Sequence, residues 1–181
     1  MNIDASVLQF LYALRDPSVV TFFARLTELG SVLVIGGTTT CLVLFLFIRH
    51  RTPELLGLIA TVGGSAGAVF VLKELVARAR PDEMFRAIAE SSSSFPSGHA
   101  TLAIALYGFC IYLLWAMLHT SRWAGVVVGL LNLLIVSIAF SRLYLGVHYL
   151  SDVVAGLVVG GCFLAAGIYI SERIKHRLVS S

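Results

Sequence analysis

The sequence predicts an all-α integral membrane protein, a helical bundle of about five transmembrane helices with amphipathic interfacial helices at its N-terminus. Composition is the first observation: 58% of the 181 residues are hydrophobic and only 13% are charged. A soluble domain carries about a quarter charged residues, so lipid must be the solvent for much of this apolar surface. The second observation is the recurrence of long apolar runs, which short polar segments separate.

Five apolar runs approach the roughly 20 residues that a bilayer core requires. They extend from about Ser31 to Ile48, Glu54 to Val76, His99 to Leu118, Trp123 to Phe140 and Tyr149 to Ile170. We expect residues 31–171 to form one transmembrane bundle. Residues 1–181 are then a single membrane-embedded domain.

The first thirty residues have a different pattern. Apolar residues recur there at helical spacing among polar ones: Leu8, Leu11, Tyr12, Val19, Phe22, Phe23 and Leu26. We interpret residues 1–30 as two short amphipathic helices that lie in the membrane interface. In the alternative interpretation, the second helix merges with the Ser31 run into one long tilted span.

Short basic segments predict the orientation of the bundle. Residues 49–51, 119–122 and 173–177 fall on one side of a five-span chain, and the positive-inside rule puts that side in the cytoplasm. The segments from about Ala77 to Pro96 and around Ser141 to His148 fall on the other side. The modest net charge of +3 gives no case for nucleic-acid binding.

Two polar clusters are predicted on the side opposite the basic segments. Lys73 and Arg80 are seven residues apart, which puts them on one face of a helix that Pro81 ends. The Pro96-Ser97-Gly98-His99 segment begins an apolar helix, where free backbone N–H groups bind anions. Taken singly, these clusters are also explained by interfacial cations and by an ordinary helix cap.

A third cluster is predicted on the same side. His148 and Asp152 are four residues apart, so one helix face holds both, and the carboxylate can orient the imidazole for nucleophilic attack. Arg142 adds a planar guanidinium suited to phosphate oxygens. A structural ion pair would also explain His148 and Asp152. Convergence of the three clusters predicts a pocket for a tetrahedral anion.

The three clusters, K-x6-RP, PSGH and SR-x5-H-x3-D, resemble the signature of the type-2 phosphatidic acid phosphatase superfamily. This resemblance implies a membrane lipid phosphatase, phosphatidylglycerophosphatase B-like or undecaprenyl diphosphate phosphatase-like. It also implies a bacterial inner membrane, and the orientation predicted from the basic segments then puts the active site on the outside or periplasmic face. The segment before Ser31 is similar to the stretch that precedes the second span of six-span members, so a sixth span is the alternative count.

The resemblance also implies roles for the site residues. His148 is the nucleophile that forms a phosphohistidine, Asp152 orients it, and protonated His99 gives a proton to the leaving group. The phosphoryl oxygens are held by five residues: Lys73, Arg80, Ser97, Gly98 and Arg142. No carboxylate cluster is left to hold a divalent ion, so we expect no metal and no other cofactor.

The substrates implied are undecaprenyl diphosphate, phosphatidylglycerophosphate, phosphatidate and lipid A phosphate. Three other functions are weighed against lipid-phosphate hydrolysis. A vanadate haloperoxidase of the same superfamily would be soluble, which this composition excludes. A small anion transporter would carry its charges at mid-bilayer, not at helix ends. A lipid phosphotransferase would use the same residues with a second lipid as the acceptor, and only product analysis separates it.

Overall fold

The computed structural model describes residues 3–118 and 123–179, and in this part of the chain it is all helical with no strand. The predicted fold class is therefore confirmed. The helices are α1 (Ile3–Ala13), α2 (Pro17–Thr27), α3 (Val32–Ile48), α4 (Thr52–Val76), α5 (Gly98–Leu118), α6 (Ala124–Tyr144) and α7 (Leu150–Val179). The predicted basic segment at 119–122 lies outside the described residues.

Among the described residues, five helical stretches are long and apolar enough to cross a membrane. The first of these, Pro17–Ile48, joins α2 to α3 through the short 3-10 turn Glu28–Gly30. The structure thus matches the alternative interpretation, in which the second N-terminal helix merges with the Ser31 run. The cause is packing, because Phe23 on α2 lies 5.5 Å from Phe140 and 5.2 Å from Tyr144 of α6, between ring centroids.

Two of the apolar helices are longer than predicted. Helix α6 continues to Tyr144. Ser141 and Arg142, which were predicted to lie in the connection after the helix, therefore lie in its last turn. Helix α7 continues past Ile170 to Val179. Polar partners explain the second extension, because Lys175 lies 3.4 Å from the buried Glu54 and donates to Tyr112 at 2.7 Å.

Close contact between α4 and α7 forms the centre of the bundle. Gly57 of α4 faces Gly167 of α7, and a Cβ on either glycine would collide with the backbone carbonyl of the other. The Thr61 hydroxyl fills the remaining space and donates to the Gly57 carbonyl at 2.8 Å. Small residues of this kind let membrane helices approach closely. This packing fixes the height at which α7 presents its first turn.

We expect Gly167→Ala to lower the free energy of unfolding by about 1–3 kcal/mol, because the new methyl group would overlap the Thr61 hydroxyl. Gly161→Ala on the same helix is the control, since its nearest neighbour would be the Ile104 side chain at an ordinary 3.9 Å. Thermal unfolding of the two variants in detergent measures the difference. Equal midpoints would show that the α4–α7 contact is not tight.

Candidate active site

The predicted site residues converge at one end of the bundle, where α4 and α6 end and α5 and α7 begin. At the opposite end, Glu54 forms two ion pairs, with Arg51 at 3.5 Å and with Lys175 at 3.4 Å. The two ends of the bundle are therefore chemically different. The site end is completed by the loop between α4 and α5.

Lys73 and Arg80 come together, although not on one helix face as the spacing predicted. Helix α4 ends at Val76, because Ala77 adopts a left-handed conformation with φ of 46° and turns the chain. Arg80 then lies in the loop that follows α4. The loop residue Ser92 joins the two cations, since its hydroxyl accepts from Lys73 at 3.3 Å and from Arg80 at 3.1 Å.

His148 lies in the turn before α7, not on the helix as predicted, yet its contact with Asp152 is present. The Nδ1 atom of His148 lies 3.6 Å from Oδ2 of Asp152, and both side chains are buried. The other ring nitrogen, Nε2, lies 3.4 Å from the Arg80 guanidinium. This arrangement leaves Nε2 at the cations, where an anion would bind.

Burial lowers the pKa of His148 to about 4. The charges of Arg142 and Arg80 act in the same direction, and the contact with Asp152 acts against them. The imidazole is therefore neutral at pH 7, and a neutral imidazole is the form that can attack phosphorus.

Arg142 is fully buried and faces the same space as Arg80. Its guanidinium donates to the Thr27 hydroxyl at 3.1 Å and forms an ion pair with Glu90, which also lies 3.5 Å from Arg80. Burial alone would raise the pKa of Glu90, but the charges of Arg142 and Arg80 hold that pKa below its ordinary value. In this structure the Glu90 carboxylate thus lies where two cations would otherwise meet a phosphoryl group.

The PSGH segment forms the start of α5 and points toward the cations. Gly98 and His99 line the same cavity as Lys73 and His148. Ser97 is buried, and its hydroxyl has no hydrogen-bond partner among the described residues. The Nε atom of Arg142 is likewise buried and has no hydrogen-bond partner within the described part of the chain. Open donors beside a helix N-terminus suit an anion.

A cavity of about 350 Å³ runs from these groups to the exposed surface of the bundle. Its polar end is formed by Lys73, Arg80, Arg142 and both histidines, with Glu90 among them. Its other end is apolar and is lined by Val32, Ala66, Val69, Phe70 and Leu102. Val32 and Phe70 are largely exposed on α3 and α4, so the apolar end reaches the bundle surface.

Four residues outside the predicted set of site residues also lie at the site: Asp4, Arg78, Glu90 and Ser94. Arg78 donates to Asp152 at 2.6 Å, and the Ser94 hydroxyl donates to the same carboxylate at 2.5 Å. A second arginine in the RARP segment was the available signal for Arg78. Nothing in the local pattern links Asp4 or Glu90 to the site, because their partners are distant in sequence.

Comparison with known proteins bears on the three clusters. The sequence profile of the PAP2 superfamily matches residues 54–175, which include all three. The chain belongs to the PAP2 superfamily. The predicted family is thereby confirmed, and with it the assignment to a family of membrane lipid phosphatases.

Individual PAP2 relatives agree with this membership. Phosphatidylglycerophosphatase B from Bacillus subtilis is 30% identical over 96% of this chain and 85% of its own length. Lipid A 4'-phosphatase from Bacteroides thetaiotaomicron is 27% identical over 99% of this chain and 81% of its own. The crystal structure of a transmembrane PAP2-type phosphatidylglycerolphosphate phosphatase from Bacillus subtilis superposes with a TM-score of 0.85 at 28% identity, covering 94% of this chain and 85% of that one.

Proposed function

We propose that this PAP2 chain removes a phosphate or diphosphate group from a membrane lipid through a phosphohistidine at His148, without a metal ion. The observation that carries the proposal is the cavity, which has three cations and two histidines at one end and apolar residues at the other. A phosphorylated lipid has the same division of polarity. The headgroup would enter the cationic end while part of the acyl or prenyl tail lies against α3 and α4.

In the proposed first step, Nε2 of His148 attacks phosphorus in line with the bond to the leaving oxygen. A nitrogen–phosphorus bond forms, and the bond between phosphorus and the oxygen of the leaving lipid breaks. His99 donates a proton to that departing oxygen. Asp152 orients the imidazole through Nδ1 and stabilises the positive charge that develops on it. In the second step, the oxygen of a water molecule attacks phosphorus while His99 accepts a proton from that water. The nitrogen–phosphorus bond breaks, inorganic phosphate leaves, and neutral His148 and protonated His99 are restored.

The cations supply most of the proposed catalytic effect. Lys73, Arg80 and Arg142 neutralise the charge on the phosphoryl oxygens, and such positioning and neutralisation dominate phosphoryl transfer. The Ser97 hydroxyl, the Gly98 N–H and Nε of Arg142 are the donors for an incoming oxygen. Substrate binding requires the Glu90 carboxylate to leave the two guanidinium groups, because it would repel a phosphate.

The proposed substrates are phosphatidylglycerophosphate and undecaprenyl diphosphate first, followed by phosphatidate and lipid A phosphate. Support comes from the names of relatives, which include a phosphatidylglycerophosphatase B and a putative undecaprenyl-diphosphatase from Escherichia coli. Hydrolysis, with water as the acceptor, is the proposed reaction.

The proposed location is the bacterial inner membrane, with the site facing the periplasm or outside. Basic residues at the opposite end of the bundle, among them Arg51 and Lys175, support a cytoplasmic position for that end. We further propose that the whole chain acts as one membrane-embedded domain, since α1 and α2 both pack on the helices that carry the site.

A substrate panel with purified protein in detergent tests the proposed function. We expect inorganic phosphate to be released from at least one of the four lipids, at an unchanged rate in the presence of a chelator. The rate is expected to stay unchanged with the chelator because no group of His, Cys, Asp or Glu side chains is placed to hold a metal ion among the described residues. Loss of all activity with the chelator would overturn the metal-free mechanism.

The two histidines predict a bell-shaped dependence of kcat/KM on pH. His148 must be neutral, and since its pKa is lowered to about 4, the acidic limb is expected near that value. His99 must be protonated to donate, and the negative charge of a bound phosphoryl group favours that form against the effect of burial. The rate is therefore expected to fall as pH rises and this proton is lost. Initial rates on a lipid phosphate at constant ionic strength measure both limbs. A rate that does not change between about pH 5 and 9 would contradict these roles.

A further inference from the structure

A chain of polar contacts runs from the N-terminal helix to the Asp152 carboxylate, outside the cavity. Asp4, on α1, accepts from one nitrogen of the Arg78 guanidinium at 2.8 Å. Another nitrogen of the same guanidinium donates to Oδ1 of Asp152 at 2.6 Å. The guanidinium lies over the ring of Tyr149, with the Arg78 Cζ atom 4.3 Å from the ring centroid. Arg78 therefore joins helix α1 to the residue that faces His148.

Asp4 also holds the first turn of α7. Its Oδ1 accepts from the Ser151 backbone N–H at 2.9 Å, and its Oδ2 accepts from the Ser151 hydroxyl at 2.6 Å. A carboxylate in this position satisfies a helix N-terminus as a capping residue does. Although partial burial opposes ionisation, the hydrogen bonds from Ser151 and Arg78 hold the pKa of Asp4 below its ordinary value.

Both oxygens of Asp152 are held as a result. Arg78 binds Oδ1, while Oδ2 accepts from the Ser94 hydroxyl at 2.5 Å and from the Tyr149 backbone N–H at 2.9 Å. Arg78 contributes a second time, because its carbonyl oxygen accepts from the Ser94 backbone N–H at 2.9 Å. Arg78 thus holds Asp152 directly through its side chain. Through its carbonyl oxygen it also holds Ser94, which in turn donates to Asp152.

We infer that Arg78, anchored by Asp4, is a positioning residue that sets the orientation and basicity of His148 through Asp152. The inference rests on the proposed function, in which His148 is the nucleophile. Arg78 does not line the cavity that holds the histidines, so it acts on the reaction without contacting the phosphoryl group. Asp4 restrains the guanidinium and couples α1 to the site.

The expected effect on His148 is electrostatic as well as geometric. The charged and titratable groups around its imidazole are Asp152, Arg80, Arg142 and His99, with Lys73 and Glu90 in the same cavity. Arg78 partly neutralises Asp152, the one carboxylate in contact with the ring among the described residues. Without that cation, Asp152 would favour the imidazolium more strongly, and a larger fraction of His148 would be protonated and unable to attack.

Arg78→Met is the direct test, with Arg78→Lys as the conservative variant. We expect Arg78→Met to lower kcat by roughly tenfold to a hundredfold while KM stays within about twofold, and to move the acidic limb of the pH profile upward. Arg78→Lys should return the limb toward its wild-type position and recover part of kcat. Arg173→Met is the matched control, because Arg173 also lies over a tyrosine ring, that of Tyr169, far along α7 from the site.

The anchor is tested separately with Asp4→Asn, which keeps an oxygen for Ser151 but removes the charge that holds Arg78. We expect kcat to fall by roughly threefold to tenfold, with the acidic limb not moved upward. Asp16→Asn is the control, since the Asp16 carboxylate accepts from the N–H groups of Ser18 and Val19 at the start of α2, away from Arg78 and Asp152. Equal loss of kcat in both variants would contradict the coupling of α1 to the site.

Titration of His148 by nitrogen-15 NMR in detergent gives a measurement that needs no turnover. The pKa of His148 is expected to rise in Arg78→Met and to stay near wild type in Arg173→Met. If Arg78→Met loses activity through a higher KM at unchanged kcat, the inference is overturned. It is also overturned if both the pKa of His148 and kcat stay at their wild-type values in that variant. A wild-type protein that hydrolyses no lipid phosphate would instead overturn the proposed function. If Arg78→Met does not fold, Arg78→Lys and Asp4→Asn carry the test.

Discussion

Replacing His148 by alanine is expected to abolish lipid-phosphate hydrolysis, with a fall in kcat of roughly a thousandfold or more. The Nε2 atom of His148 lies at the cationic end of the cavity, 3.4 Å from the Arg80 guanidinium. Removing it leaves the cations to bind phosphate but no nucleophile to accept it. Substrate affinity should therefore change far less than kcat.

The measurement is phosphate release under single-turnover conditions, with binding followed separately by inhibition with inorganic phosphate. His176→Ala is a useful control, because His176 lies in the last turn of α7, far from the site end of that helix. Full hydrolysis by His148→Ala would disprove the nucleophile assignment. Loss of activity in both variants would point to an unstable protein.

Replacing Asp152 by asparagine is expected to lower kcat by roughly a hundredfold to ten-thousandfold while the protein stays folded. Asparagine has the same shape and keeps an oxygen for the Tyr149 N–H and the Ser94 hydroxyl. It lacks the charge that stabilises the imidazolium, and its NH2 group takes the place of Oδ1, where it faces the Arg78 guanidinium instead of accepting from it.

Kinetics and thermal unfolding together test Asp152→Asn. A folded variant with unchanged KM and strongly reduced kcat is the expected outcome. Asp152 is fully buried and also pairs with Arg78, so some loss of thermal stability is expected alongside the kinetic effect. A folded Asp152→Asn variant with wild-type kcat would remove Asp152 from the mechanism.

Local spacing predicted two features of the candidate site's geometry. The PSGH segment begins a helix as expected, and the four-residue interval from His148 to Asp152 brings the two side chains within 3.6 Å of each other. Both predictions needed only the geometry of one short segment. Lys73 and Arg80 do not share a helix face as predicted, because Ala77 turns the chain before Arg80 is reached.

Contacts between distant segments were beyond sequence reasoning. Glu90 and Arg142 are 52 positions apart, and Asp4 and Arg78 are 74 apart. An ion pair of this kind depends on how α1 and the α4–α5 loop pack on the bundle, which no local pattern encodes. The same reason explains the N-terminal helices, since α2 is placed by its aromatic contacts with α6 and not by its own amphipathic pattern.

The phosphohistidine itself is the most direct test of the central claim. Wild-type protein would be mixed with a phosphorus-32-labelled lipid phosphate, quenched in alkali within one turnover, digested and analysed by mass spectrometry. We predict an alkali-stable, acid-labile phosphoryl group on the peptide that contains His148, and its absence from His148→Ala. Label on another residue, or label of equal amount in His148→Ala, would contradict the account.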